Sequence, residues 1–234
     1  MKKVFKKIIL SDKDSDQIPV DDVIKKRWSN IKSIWHNEHQ DDIGLEKIIR
    51  LLLAFSQFLF PGIYIKQLFG SRGIGVQEVV MDLFIVFKLA LPFLLLYHDI
   101  KINSFWIVIV SWLLLETILY IATLAFASDL FDKPRSYRRS LILLFLDYGQ
   151  IVISFAYLYT YGENFNTGFK HWFDPIYFSV VTSASVGYGD FFPVTTYGKM
   201  LASAQIVIFF LIVMLLFNFF SFKMEQKGYF GQKE

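Results

Sequence analysis

The chain has 234 residues, of which 54% are hydrophobic and only 19% charged, with 26 Phe, a mean hydropathy of +0.43 and a formal net charge of +3. A soluble domain carries about 25% charged residues, and no soluble core of this size absorbs several charge-poor runs of about 20 residues, whereas a bilayer does. The absence of cysteine excludes a disulfide scaffold, thiolate-bound metal and thiol catalysis, and the small net charge gives no argument for nucleic acid.

Charge is unevenly placed. Residues 1–50 hold 20 of the 45 charged residues, and 51–222 hold another 20 over a far longer stretch. The basic start, Met1 to Lys7, lacks the apolar core and small-residue cleavage site of a signal peptide. Pro19 with Asp21 and Asp22 reads as a helix start. Ile24, Trp28, Ile31 and Trp35 then recur at helical spacing, which predicts one apolar stripe on an amphipathic helix within a cytoplasmic region 1–50. Such a helix lies on the membrane or packs on a neighbouring subunit.

The next run, Leu51–Ile65, is interrupted by Pro61-Gly62. Four longer segments follow: Val79–Tyr97, Ser104–Ala127, Leu141–Tyr161 and Met200–Phe222. At 1.5 Å per residue each can cross a hydrocarbon core of about 30 Å. Lys133, Arg135, Arg138 and Arg139 lie between the second and third, against Lys101 alone between the first and second. The positive-inside rule therefore places 128–140 in the cytoplasm, and four spans leave both termini there. A fifth span at 51–69 would expel the Lys-rich N-terminus, so 51–76 is expected to be interfacial or re-entrant.

No span carries Arg or Lys at every third position, so a voltage sensor is not expected. Lys88 near the middle of the first span and Glu116 near the middle of the second fall at similar depth, which predicts an intramembrane pair. Asp82 and Asp147 lie nearer the inner face. No convergence of acids, His and Ser suggests an enzyme.

Between the third and fourth spans, Trp172-Phe-Asp-Pro-Ile-Tyr-Phe-Ser-Val-Val-Thr-Ser-Ala-Ser-Val-Gly-Tyr-Gly-Asp190 is too short and interrupted to cross, and too apolar for an outside loop. Asp174-Pro175 opens a helix: the carboxylate can cap free N–H groups and Pro suits the first turn. That helix runs towards Ser183 and dips into the membrane with its negative end inward. Beyond it, Gly187 and Gly189 accept the left-handed dihedrals that turn successive carbonyls to one side.

Thr182-Ser-Ala-Ser-Val-Gly-Tyr-Gly-Asp190 resembles the signature of the tetrameric potassium channels, and Tyr177, Pro193 and Gly198-Lys199 fit the same surroundings over 141–222. The resemblance implies an all-α integral membrane protein of four transmembrane helices plus a re-entrant pore helix and filter loop, assembled as a homotetramer. Ser185, Val186, Gly187 and Tyr188 would supply the potassium-coordinating oxygens, with Thr182, Gly189, Asp190 and Asp174 supporting them. Permeant K⁺ would be the only bound metal, with no cofactor. Ser185 stands where the family usually has Thr, Val181 occupies a position that is acidic in some members, and the last helix lacks the family's hinge glycine. Asn218 is the only amide in the inner half of that helix and a candidate inner-pore ring.

The implied activity is passive, selective K⁺ conduction. The alternative is a non-conducting or weakly selective regulatory membrane subunit. The short tail from Lys223 leaves no room for an attached ligand-binding domain and leaves a separate regulatory subunit open, the lipid bilayer is the other partner, and the absence of cysteine and of eukaryotic targeting signals leans towards a bacterial inner membrane.

Overall fold

The computed structural model describes residues 22–38, 42–70, 73–100, 103–131 and 137–225, excluding the side chains of Tyr137 and of 218–225. The described residues are helical apart from loops and one isolated bridge between Phe165 and Pro193. Pro19, Asp21, Lys133 and Arg135 lie outside them.

Helix α1 (Val23–His36) starts where the Asp22 carboxylate accepts from the N–H groups of Ile24 and Lys25, at 3.1 and 3.3 Å. It stops at Asn37, whose left-handed φ of 52° returns its N–H to Ile34. Its apolar side is divided differently from the expected stripe. Val23, Ile31 and Ile34 are buried, while Trp28 and Trp35 remain 49% and 64% exposed. The inward stripe is rotated by about one position because Arg27 and Asn30 also turn inward, donating to the Leu130 carbonyl.

Helix α2 (Leu45–Ser56) crosses the boundary expected at residue 50. It runs through a 3₁₀ turn, Gln57–Leu59, into α3 (Pro61–Gly70) at a bend of 66°. The bend has a local cause: Phe60 is extended, as a residue before proline prefers, and Pro61 has no N–H to continue the ladder. Leu53 and Ala54 of α2 pack with Ile31 and Ile34 of α1 and with Ala127 and Leu130. Arg50, buried within this joint, is held by Asp42 at 2.7 Å and by Asp129.

Among the described residues four helices are long and apolar enough to cross a membrane: α4 (Ile74–Tyr97), α5 (Ser104–Phe126), α6 (Tyr137–Tyr159) and α8 (Thr196–Glu225). The first starts five residues before the sequence expectation, because Gly73 provides the entry and Gln77 donates its amide to the Lys66 carbonyl at 2.7 Å. A short helix α7 (Asp174–Ser183) stands between α6 and α8. Helix α4 lies along α6, and α5 touches both α6 and α8, so the two upstream spans brace the last two. At the side nearer α1, Arg139 of α6 pairs with Asp82 and, at 3.6 Å, with Glu78 of α4. Arg139 therefore has acidic partners on α4.

Candidate functional site

Pro175 occupies the first turn of α7, where its missing N–H costs nothing. The Asp174 carboxylate does not cap the helix as expected. Its Oδ2 instead accepts from the backbone N–H groups of Lys170 and His171, at 2.8 and 2.9 Å, tying down the loop that enters the helix. The geometry favours this because the loop folds back over the first turn, with Asp174 N–H bonded to the His171 carbonyl.

The far end of α7 closes tightly. The N–H groups of Ala184, Ser185 and Val186 return to the carbonyls of Val180, Thr182 and Val181, at 2.9, 3.0 and 3.0 Å. Thr182 thus supports the next strand through its backbone. From Ser185 the dihedrals alternate: φ is positive at Ser185 (54°), Gly187 (61°) and Gly189 (81°), and not at Val186 or Tyr188. Alternating right- and left-handed residues direct successive carbonyls to the same side, which an ordinary strand does not do. The two glycines accept this without strain, whereas Ser185 costs about 1–2 kcal/mol that its surroundings must recover. No described residue donates a hydrogen bond to the carbonyls of 185–188.

Asp190 ends the segment. Its side chain accepts from the Phe191 N–H at 3.0 Å, and its carbonyl accepts from the Asn166 amide at 3.0 Å. The Tyr177 phenol has a raised pKa, chiefly because the Asp190 carboxylate favours its protonated form. Asn166 and Asn164 fasten the stretch after α6 to 190–195. Phe192 N–H donates to Asn166 Oδ1 at 2.9 Å, Val194 N–H to the Asn164 carbonyl at 2.8 Å, and Thr195 Oγ1 to Asn164 Oδ1.

Three buried polar residues that sequence reasoning missed fix α7 between the flanking spans. Gln205 of α8 donates through Nε2 to Ser179 O and Ser179 Oγ, at 2.9 and 2.7 Å, and accepts at Oε1 from the Tyr159 hydroxyl at 2.7 Å. Ser179 Oγ then donates to the Val152 carbonyl of α6 at 2.6 Å. All three are at most 1% exposed. Lower down, the Tyr148 hydroxyl meets Ser183 Oγ at 3.0 Å, at the turn that leads into Ser185. The available signal was the presence of polar side chains in otherwise apolar helices, each of which needs a partner in lipid.

Within one chain the segment is uncovered. Val186 is 51% and Tyr188 70% exposed, and α8 presents Val207, Phe210, Val213 and Phe217 outward. Asn218 lies on the same helix, but its side chain falls outside the described residues.

Lys88 Nζ stands 3.9 Å from Glu116 Oε2, too far for a hydrogen bond, and donates instead to Thr117 Oγ1 at 2.8 Å. Glu116 Oε1 accepts from the N–H of Gly62, at the start of α3, at 3.1 Å. Asp147 is 1% exposed, and neither of its carboxylate oxygens has a hydrogen-bond partner. Among the described residues no group of three or more His, Asp and Glu is arranged to hold a metal.

The model of an ion channel family matches residues 141–226, the stretch from α6 through α8. The potassium channel protein Kcv of Paramecium bursaria Chlorella virus 1 is 49% identical over 45 residues, which make up 19% of this chain and 48% of that relative. The chain thus spans about half the length of the curated relative it matches. No solved structure matches the chain significantly.

Proposed function

We propose that this chain, a membrane protein of the pore-loop potassium channel family through residues 141–226, assembles as a homotetramer that conducts K⁺ passively and selectively. The observation that carries the reading is the segment 185–188, with positive φ at alternate positions and carbonyls that no described residue engages. Four such segments around an axis make a column of oxygen rings that replaces the hydration shell of a cation. Selectivity follows from the number and field of those carbonyls, and the Ser185 hydroxyl adds oxygens at the inner end. The negative end of α7 faces the same axis and stabilises a cation there.

One chain supplies a quarter of each ring, and the exposed Val186, Tyr188 and outer face of α8 are the surfaces that neighbouring copies cover. Tyr177 and Asp190 brace the outer mouth behind the rings. The matched viral relative is named a potassium channel, in keeping with K⁺ as the transported ion. The basic loop around 128–140 faces the cytoplasm of the cell membrane, which puts α1 and both termini on that side.

The experiment is ion-dependent stability of the purified assembly. A filter that binds K⁺ in the folded tetramer raises its dissociation temperature by mass action, so KCl stabilises a particle of four chains more than equimolar NaCl does. A monomer, or a tetramer indifferent to the cation, contradicts the reading.

A further inference from the structure

Helix α2 is built inside out for a protein in water. Its buried stripe contains a charged residue, Arg50, whereas its exposed stripe is wholly apolar: Ile48, Leu52 and Phe55, continued by Leu59 after the 3₁₀ turn, are 50–65% exposed. Positions 48, 52, 55 and 59 share one helical face. In a soluble domain the same sequence would turn this face inward and Arg50 outward.

Helix α1 adjoins that face with a different chemistry. Its outward side carries Lys25 and Lys32 at the same spacing as Trp28 and Trp35. Trp28 joins the two helices edge-on, with its ring 6.3 Å from Phe55 and 6.2 Å from Phe58. Trp35 is met by Lys47 at 6.0 Å from the ring centre. Apolar side chains on one helix, bordered by Trp and Lys on the next, match the gradient across a membrane boundary. A neighbouring protein fits less well, because protein interfaces are depleted in Lys. The face is also continuous with the spans, since α2 packs on α5 and α3 on α4.

We propose that the α1–α2 face docks on the bilayer at the water boundary of the leaflet nearest Leu130, with α2 sunk among the acyl chains and α1 held at anionic headgroups by Lys25 and Lys32. The outward apolar stripe then lies in lipid and the Trp–Lys stripe among headgroups. Arg50 is sealed on the protein side, where Asp42 and Asp129 neutralise it. The docking does not depend on ion conduction.

The chain has no cysteine, so single labels can be placed without background. Ile48→Cys, Leu52→Cys, Leu59→Cys and Ser29→Cys are spin-labelled in the full chain and reconstituted in vesicles of phosphatidylcholine with or without phosphatidylglycerol. Collisions with oxygen and with an aqueous nickel chelate are then compared. Labels at 48, 52 and 59 should meet oxygen freely and nickel roughly fivefold less than a label on the water-exposed side of a helix. The label at 29 should lose nickel access when phosphatidylglycerol is added, and regain it in the Lys25→Gln/Lys32→Gln background.

Free nickel access at 48, 52 and 59 overturns the proposal in favour of a watery face. Protection from both reagents, with spin–spin broadening, overturns it in favour of a second copy of the chain. Indifference of position 29 to phosphatidylglycerol overturns the headgroup contact. Quenching of the unlabelled chain by brominated lipid is an independent check: it should fall in Trp28→Phe/Trp35→Phe if the rings reach the boundary, and unchanged quenching contradicts the docking.

Discussion

Replacing Gln205 with Leu keeps the approximate volume of a fully buried side chain and removes three hydrogen bonds. Two run from Nε2 to Ser179 and one comes to Oε1 from Tyr159. In water-soluble proteins an orphaned buried hydroxyl costs about 1–3 kcal/mol. Bonds between membrane helices average only about 0.6 kcal/mol, with a maximum near 1.7, because the unfolded chain in lipid finds other partners. Three bonds at that average give about 2 kcal/mol per chain, and Ser179 keeps its bond to Val152, which limits the loss. The assay is detergent-driven unfolding in mixed micelles of wild type, Gln205→Leu, Tyr159→Phe and the double variant. The double should be less damaged than the sum of the singles by about 0.6–1.7 kcal/mol, since the Tyr159–Gln205 bond is lost only once. Strict additivity, or a Gln205→Leu variant within about 0.5 kcal/mol of wild type, would refute the idea that this network holds the pore helix between its flanking spans.

Lys88→Met should cost about 3–5 kcal/mol in the same unfolding assay, because the buried Glu116 carboxylate then loses its cation. Gly62→Ala places a methyl group 2.7 Å from Glu116 Oε1, so the carboxylate must leave the Gly62 N–H. A loss of about 1–2 kcal/mol is expected, with little change if Glu116 is replaced by Ala beforehand. Tyr177→Phe should reduce K⁺-dependent stabilisation of the assembly, and adding Asp190→Asn should reduce it little further, since Tyr177 acts through the Asp190 carboxylate. The raised phenol pKa has a sign that follows: protonated Tyr177 favours the folded state at neutral pH, and that contribution disappears only as pH climbs past the phenol's folded value. Loss of the K⁺ effect between pH 6 and 8 in wild type would therefore come from another group.

What the sequence carried clearly were features encoded by residue identity in a short stretch. The four spans announce themselves by the scarcity of charge over the length of a bilayer. The turned backbone at Gly187 and Gly189 is legible because only glycine accepts those dihedrals without strain, and the helix before it because Asp174-Pro175 marks its start. The depth of Lys88 and Glu116 could be counted from the ends of their spans. The finer partners could not: Lys88 reaches Thr117, and Glu116 reaches the backbone of α3, because the Pro61 bend folds that helix back on the spans. Periodicity shows that α1 and α2 have two faces but does not say which one is buried. The pairing of Arg50 with Asp42 and Asp129 decides that for α2, and Asp129 is far from Arg50 in sequence. The left-handed Ser185 was also beyond reach, since its dihedral is imposed by the returning turn at 184–186.

Potassium flux into liposomes carrying the purified chain, measured against sodium with Gly187→Ala as the paired control, tests the central claim most directly. In the proposed tetramer a Cβ at a φ of 61° would add about 1–2 kcal/mol of strain to each of four strands that already carry a left-handed Ser185. The account predicts flux that favours K⁺ in the wild type and is lost in the variant. Equal flux of the two ions, or K⁺ flux that survives Gly187→Ala, would contradict it.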